Sequence, residues 1–258
     1  MNKVFLFLAC LTLSVALFAQ KGKKVELNIV YIGNSITQGA LLADPAHDAP
    51  PVQASIWLQT QPGIARVEFS NQGASGRTTV DFLPASNTLF PKVKQVADEF
   101  QKTAKGMLIF SIMLGTNDSA CKGPNGAPVN APQYRTNMKV IIDELLSNYP
   151  QCKVVLHRPI WYSPNTYNGA IYLKEGLERL KSYLPELESL VSQYAQSHPQ
   201  RVFMGDTDGF NYYRENYLTD ITPEDGFAGT FYLHPNKKGA VRLGEFWGKA
   251  IYKVVNVN

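Results

Sequence analysis

Five short runs rich in Val, Ile, Leu and aromatic residues recur along the chain, over residues 25–32, 66–71, 107–114, 154–156 and 201–205, and a stretch with helical spacing follows each of the first four. A strand buried on both faces of a parallel sheet reads as a near-continuous apolar run. Strands that alternate with helices build such a sheet through right-handed crossovers, with helices on both faces. The pattern therefore predicts an α/β chain with a five-stranded parallel sheet. All strand carboxyl ends then point one way, and ligands of open α/β sheets gather just beyond those ends. The intervening helices are expected over residues 52–61, 91–105, 131–148 and 170–197, the last one kinked at Pro185, with a closing helix to about residue 254. The segment between the fifth strand and His234 reads only as a polar stretch.

Small and polar residues stand at the strand ends. The first strand ends in Gly33-Asn34-Ser35-Ile36-Thr37, the second in Gln72-Gly73-Ala74-Ser75-Gly76, the third in Gly115-Thr116-Asn117-Asp118 and the fourth in His157-Arg158-Pro159-Ile160-Trp161-Tyr162. One such end alone is a turn with a helix cap, since Asn and Ser favour both. Gathered at one sheet edge, the four ends make a site with Ser35 as its candidate nucleophile. A serine hydroxyl needs a base within hydrogen-bond reach, and the charge that forms on an attacked carbonyl oxygen needs fixed donors. The donors on offer are the backbone N–H groups of Ser35 and Gly73 and the side-chain amide of Asn117; a glycine lets the carbonyl approach the backbone closely.

Gly33-Asn34-Ser35-Ile36-Thr37 resembles the first block of the SGNH, or GDSL, hydrolase family. Gln72-Gly73-Ala74-Ser75-Gly76 is similar to its second block, Gly115-Thr116-Asn117-Asp118 to its third and His234-Pro235-Asn236 to its last. The blocks stand in family order and span nearly the whole chain. The resemblance implies a flavodoxin-like three-layer α/β/α sandwich, with Ser35 as nucleophile and His234 as general base. The N–H groups of Ser35 and Gly73, with Asn117, would form the oxyanion hole. Asn34 replaces the aspartate of the GDS spelling. The α/β-hydrolase elbow G-x-S-x-G is absent, because Thr37 stands at its second glycine, and no phosphate-binding loop is present.

The family usually carries an aspartate three residues before the histidine, and Phe231 stands there. Neutralising the equivalent carboxylate in a serine protease lowers turnover by about 10⁴. Several groups could orient His234 instead. Asp225 is the nearest upstream carboxylate, between glycines pliable enough to return it; Glu224 is a second choice. Asp206 and Asp208 end the fifth strand, and a backbone carbonyl would leave a Ser-His dyad.

Other residues carry weaker expectations. His157 reads as a hydrogen-bonded structural histidine, with a second base as its alternative. Arg158 and Trp161, with Tyr162 and Tyr167, are candidate substrate contacts, since an aromatic ring can stack on a sugar and a guanidinium can grip a carboxylate. His47 with Asp44 and Asp48 has the residue types of a metal site but no ligand spacing. His198 is a helix-end residue.

Residues 1–19 read as a leader: Lys3, an apolar stretch and an Ala19-Gln20 junction, too short for a comfortable membrane span of about 20 residues. The expectation is export, with residues 20–258 forming one domain. Loss of Lys3 with the leader takes the formal charge from +4 to +3, too little and too scattered to argue for nucleic acid. Cys121 and Cys152 flank a helix roughly 25 Å long and should remain free thiols. The expected activity is a serine-dependent carboxylic-ester hydrolase without metal or organic cofactor, removing O-acetyl groups from a carbohydrate, with a small-molecule or oligosaccharide ester as its substrate. A lipid-directed esterase or thioesterase, and a non-catalytic carbohydrate binder on the same scaffold, are the alternatives.

Overall fold

The first apolar run forms β1 (Val25–Gly33), buried from Leu27 onward, as a strand covered on both faces must be. A computed structural model describes residues 24–103 and 105–255, and the expected leader lies outside them. β1 is flanked by β2 (Ile64–Gly73) and β3 (Met107–Met113), followed by β4 (Lys153–Leu156) and β5 (Val202–Met204). All five run parallel in the order β2-β1-β3-β4-β5, the flavodoxin-like arrangement. Edge strand β2 is mostly exposed or half-buried, which accounts for its more polar sequence.

Two short helices, α1 (Ser35–Gln38) and α2 (Pro45–Asp48), precede α3 (Pro50–Gln59). On the way to β3, β4 and β5 the chain passes through α4 (Phe90–Thr103), α5 (Ala131–Asn148), α6 (Leu173–Lys181) and α7 (Tyr183–Ser197). The long helix expected over residues 170–197 is thus two helices, and the break is at Ser182 rather than Pro185. Pro185 sits in the first turn of α7, where a missing N–H costs nothing.

After β5 the expected polar stretch contains α8 (Gly209–Asp220) and an antiparallel hairpin, β6 (Ile221–Gly226) with β7 (Gly229–Pro235). α9 (Lys237–Val255) then packs beside α3, burying Leu243, Trp247 and Ile251. Cys121 and Cys152 are free thiols, and burial pushes that of Cys152 up to about 11. Among the described residues no helix is long and apolar enough to cross a membrane.

Candidate active site

Ser35 opens α1 immediately beyond the end of β1. Asn34 caps that turn, its Oδ1 accepting from the N–H of Ile36 at 3.0 Å. The Ser35 hydroxyl lies 2.9 Å from Nε2 of His234, and Nδ1 of the same ring lies 2.8 Å from Oε1 of Glu224. A carboxylate only accepts, so Nδ1 carries the proton and Nε2 presents its lone pair to the serine O–H. The His234 and Glu224 side chains are only 11% and 15% exposed, which shields both contacts from competing water.

The hairpin makes this relay possible. Glu224 on β6 pairs with Phe231 on β7, and in a regular strand His234, three residues on, would face the other way. Between the pairs Tyr232–Pro223 and Pro235–Ile221, however, β7 advances three residues while β6 moves two. That extra residue is a bulge, a device that re-aims a side chain near a site. It turns His234 onto the face that Glu224 occupies. Asp225, the neighbour on β6, takes the opposite face, is exposed and pairs with Thr230. The orienting partner in the fold is therefore Glu224, rather than Asp225 or a backbone carbonyl. Asp206 is also elsewhere, accepting from the N–H groups of Asp208 and Gly209.

Asn117 is held on both sides of its amide. Tyr172 donates its phenol proton to Oδ1 at 2.7 Å, and Nδ2 donates to the Arg77 carbonyl at 2.8 Å. Burial, then the charges of Glu224 and Asp118, raise the Tyr172 phenol above its ordinary value of 10.0, so it remains a donor. These two bonds fix the amide orientation, and one Nδ2 proton is left over. Asn117, Tyr172, Ser35 and His234 line one cavity of about 400 Å³.

The second-block glycine differs from expectation. The N–H of Gly73 donates to Asn71 Oδ1 at 2.9 Å, and a Cβ there would stand 2.2 Å from the Gln38 nitrogen, so Gly73 is packed against α1 and does not line the cavity. Gly76 does line it, with φ +73° and, among the described residues, no protein acceptor for its N–H. Of the two glycines, Gly76 is the one placed at the cavity with its N–H available to donate. No sequence signal separates the two glycines; the left-handed φ does.

Arg158 and Trp161 do not reach the cavity. Trp161 is only 7% exposed and packs on Tyr217 with ring centroids 5.4 Å apart, while the Arg158 guanidinium lies 3.9 Å over the Phe210 ring. Both brace the fold because the loop after β4 turns inward. Tyr162 is buried with its hydroxyl 2.9 Å from that of Ser119. Asn168, Gly169 and Ala170, just after Tyr167, line the cavity instead. His157 is buried between the Ser111 hydroxyl and the Asp206 N–H, and burial pushes its pKa down to about 3, so it stays neutral and structural. His47 pairs with Asp44, Asp48 pairs with Lys237, and His198 caps the end of α7. No group of three or more His, Cys, Asp or Glu among the described residues is placed to hold a metal ion.

No curated protein matches the chain. Solved structures with the same fold include a carbohydrate acetylesterase from Sinorhizobium meliloti, 17% identical with a TM-score of 0.56 over 88% of this chain and 99% of that one. A putative arylesterase from Agrobacterium tumefaciens is 15% identical with a TM-score of 0.56, over 88% and 99%. A two-domain esterase active on acetylated mannans is 16% identical with a TM-score of 0.53 over 91% of this chain and 51% of that one, so this chain spans about half of it. The model of the GDSL-like lipase/acylhydrolase family matches residues 31–242, a span that takes in Ser35, Asn117, Glu224 and His234. The chain belongs to that family and is a carboxylic ester hydrolase.

Proposed function

We propose that the chain removes O-acetyl groups from a carbohydrate, with Ser35 as nucleophile and His234, oriented by Glu224, as general base. Ser35 Oγ adds to the acyl carbon while Nε2 of His234 takes the hydroxyl proton. The negative oxygen that results is met by the N–H groups of Ser35 and Gly76 and the remaining Nδ2 proton of Asn117. Collapse breaks the bond to the sugar oxygen, which leaves with the proton from His234. Water, deprotonated by the same ring, then releases acetate and restores Ser35.

The observation that carries this reading is the relay of Ser35, His234 and Glu224 opening on a cavity of about 400 Å³ lined by small and polar residues, with Leu233 as its one long aliphatic side chain among the described residues. A short acyl group suits that lining, and a long one would find little apolar surface to bury. The acetylesterases among the structural neighbours are consistent with it. Export through the leader over residues 1–19 would bring the enzyme to glycans outside the cytoplasm.

Steady-state hydrolysis of matched acetyl and octanoyl esters tests the acyl preference. A higher kcat/KM for acetyl is expected, and a preference for octanoyl would favour a lipid-directed esterase.

A further inference from the structure

The hairpin that carries Glu224 and His234 ends in an exposed aromatic. Phe227, at the turn between β6 and β7, is 79% exposed, and its ring centroid lies 5.0 Å from that of Tyr167, tilted by 49°. A single apolar side chain in water needs no explanation, but this pair is fixed from several sides. The Phe227 N–H donates to the Tyr167 carbonyl at 2.8 Å. Asn165 donates from Nδ2 to the carbonyls of Ala228 and Thr230, at 3.2 and 2.8 Å. Gly226 fits closely beneath, since a Cβ there would stand 2.4 Å from the Tyr167 carbonyl oxygen.

The pair is also continuous with the reactive site. Three residues of strand, about 10 Å, separate Phe227 from Glu224. On the other side Tyr167 leads directly into Asn168, Gly169 and Ala170 of the cavity wall. We infer that Tyr167 and Phe227 form a stacking platform for a sugar ring of the glycan ester, one or two rings away from the ring that carries the acyl group. This rests on the carbohydrate-ester reading above and adds a subsite to it.

The chemistry suits a pyranose. Its C–H faces are apolar and its rim is polar, so an aromatic face covers the former and leaves the latter in water. Aromatic side chains supply contact area with only two rotatable side-chain angles. A platform already held in place loses less freedom on binding than a mobile one.

The test is the dependence of KM on chain length, measured with O-acetylated manno- and xylo-oligosaccharides of one to four rings. For the natural chain KM is expected to fall by about 3- to 10-fold from the monosaccharide to the trisaccharide, the range that one aromatic contact supplies. Phe227→Ala, at an exposed position that does not endanger folding, should erase that fall while kcat on the trisaccharide changes less than KM. Phe227→Trp should retain it. A length dependence that persists in Phe227→Ala, or is absent from the natural chain, overturns the platform alone. Hydrolysis of simple acetyl esters but of no acetylated saccharide overturns the carbohydrate reading and the platform with it. A Phe227→Ala defect confined to micellar octanoyl esters would assign the pair to a lipid surface and also overturn the proposal.

Discussion

Glu224 and Phe231 are cross-strand partners in the β6–β7 hairpin, and Glu224 carries the carboxylate that the family pattern would place at residue 231. Phe231 is buried in the core. The orienting group has moved across the hairpin, and its distance to the imidazole is that of an ordinary charge-assisted hydrogen bond. This removes the main reason to read the chain as a degenerate binding scaffold.

Replacing Glu224 by Gln should lower kcat on an acetyl ester by about 10²- to 10⁴-fold, by analogy with the aspartate-to-asparagine change in serine proteases. Asp225→Asn should leave kcat within about twofold, since Asp225 faces solvent. Both are read from steady-state rates. Equal losses in the two variants would contradict the assignment.

Asn117→Ala should reduce kcat by about 10²- to 10³-fold, the usual cost of one oxyanion donor. Tyr172→Phe keeps the ring and removes the bond to Oδ1, so a smaller loss of about 2- to 12-fold in kcat is expected, corresponding to one net hydrogen bond. KM should change less than kcat, because the amide acts after the substrate is bound. An unchanged kcat in Tyr172→Phe would show that Asn117 is held by Arg77 alone.

The two second-block glycines should separate by stability. Gly73→Ala puts a methyl group into the backbone of α1 and should prevent folding or cost several kcal/mol. Gly76→Ala meets no atom within 4 Å but adopts φ +73°, a cost of about 1–2 kcal/mol. Urea unfolding of both variants checks the order, and a reversed order would exchange their roles.

Asp118 gives the fold a pH dependence. It accepts from the Thr79 N–H and hydroxyl, while its other oxygen has no protein partner among the described residues. Burial raises its pKa from 3.8 to about 6, despite the Thr79 hydrogen bonds that lower it. Between those values the folded chain holds the proton and the unfolded chain has lost it. Stability from this group is therefore full below pH 4 and lost as pH rises through about 6, by at most roughly 3 kcal/mol. Asp118→Asn should flatten that part of the stability profile between pH 4 and pH 7. A difference from the natural chain that does not vary with pH would show that burial of the charge is not felt.

The sheet was legible because each central strand is apolar on both faces, and the strand ends because Ser35, Asn117 and His234 stand in a recognisable order. The hairpin was not. Pro223, Glu224 and Asp225 are poor strand formers, and only Gly226 and Gly229, flanking a two-residue turn, hinted at it. With the hairpin unseen, the face that Glu224 shares with His234 could not be derived, since it depends on a one-residue bulge. Arg158 and Trp161 misled for a related reason. A loop at the active edge of the sheet can turn into the core, and neither residue's type says which way it points.

Covalent labelling tests the central claim most directly. The folded chain treated with a fluorophosphonate and analysed by peptide mass spectrometry should carry one adduct, on Ser35, and labelling should be lost in Ser35→Ala and strongly slowed in His234→Ala. A folded chain that resists the reagent, or that reacts at another residue, would contradict a serine activated by the Glu224-held imidazole.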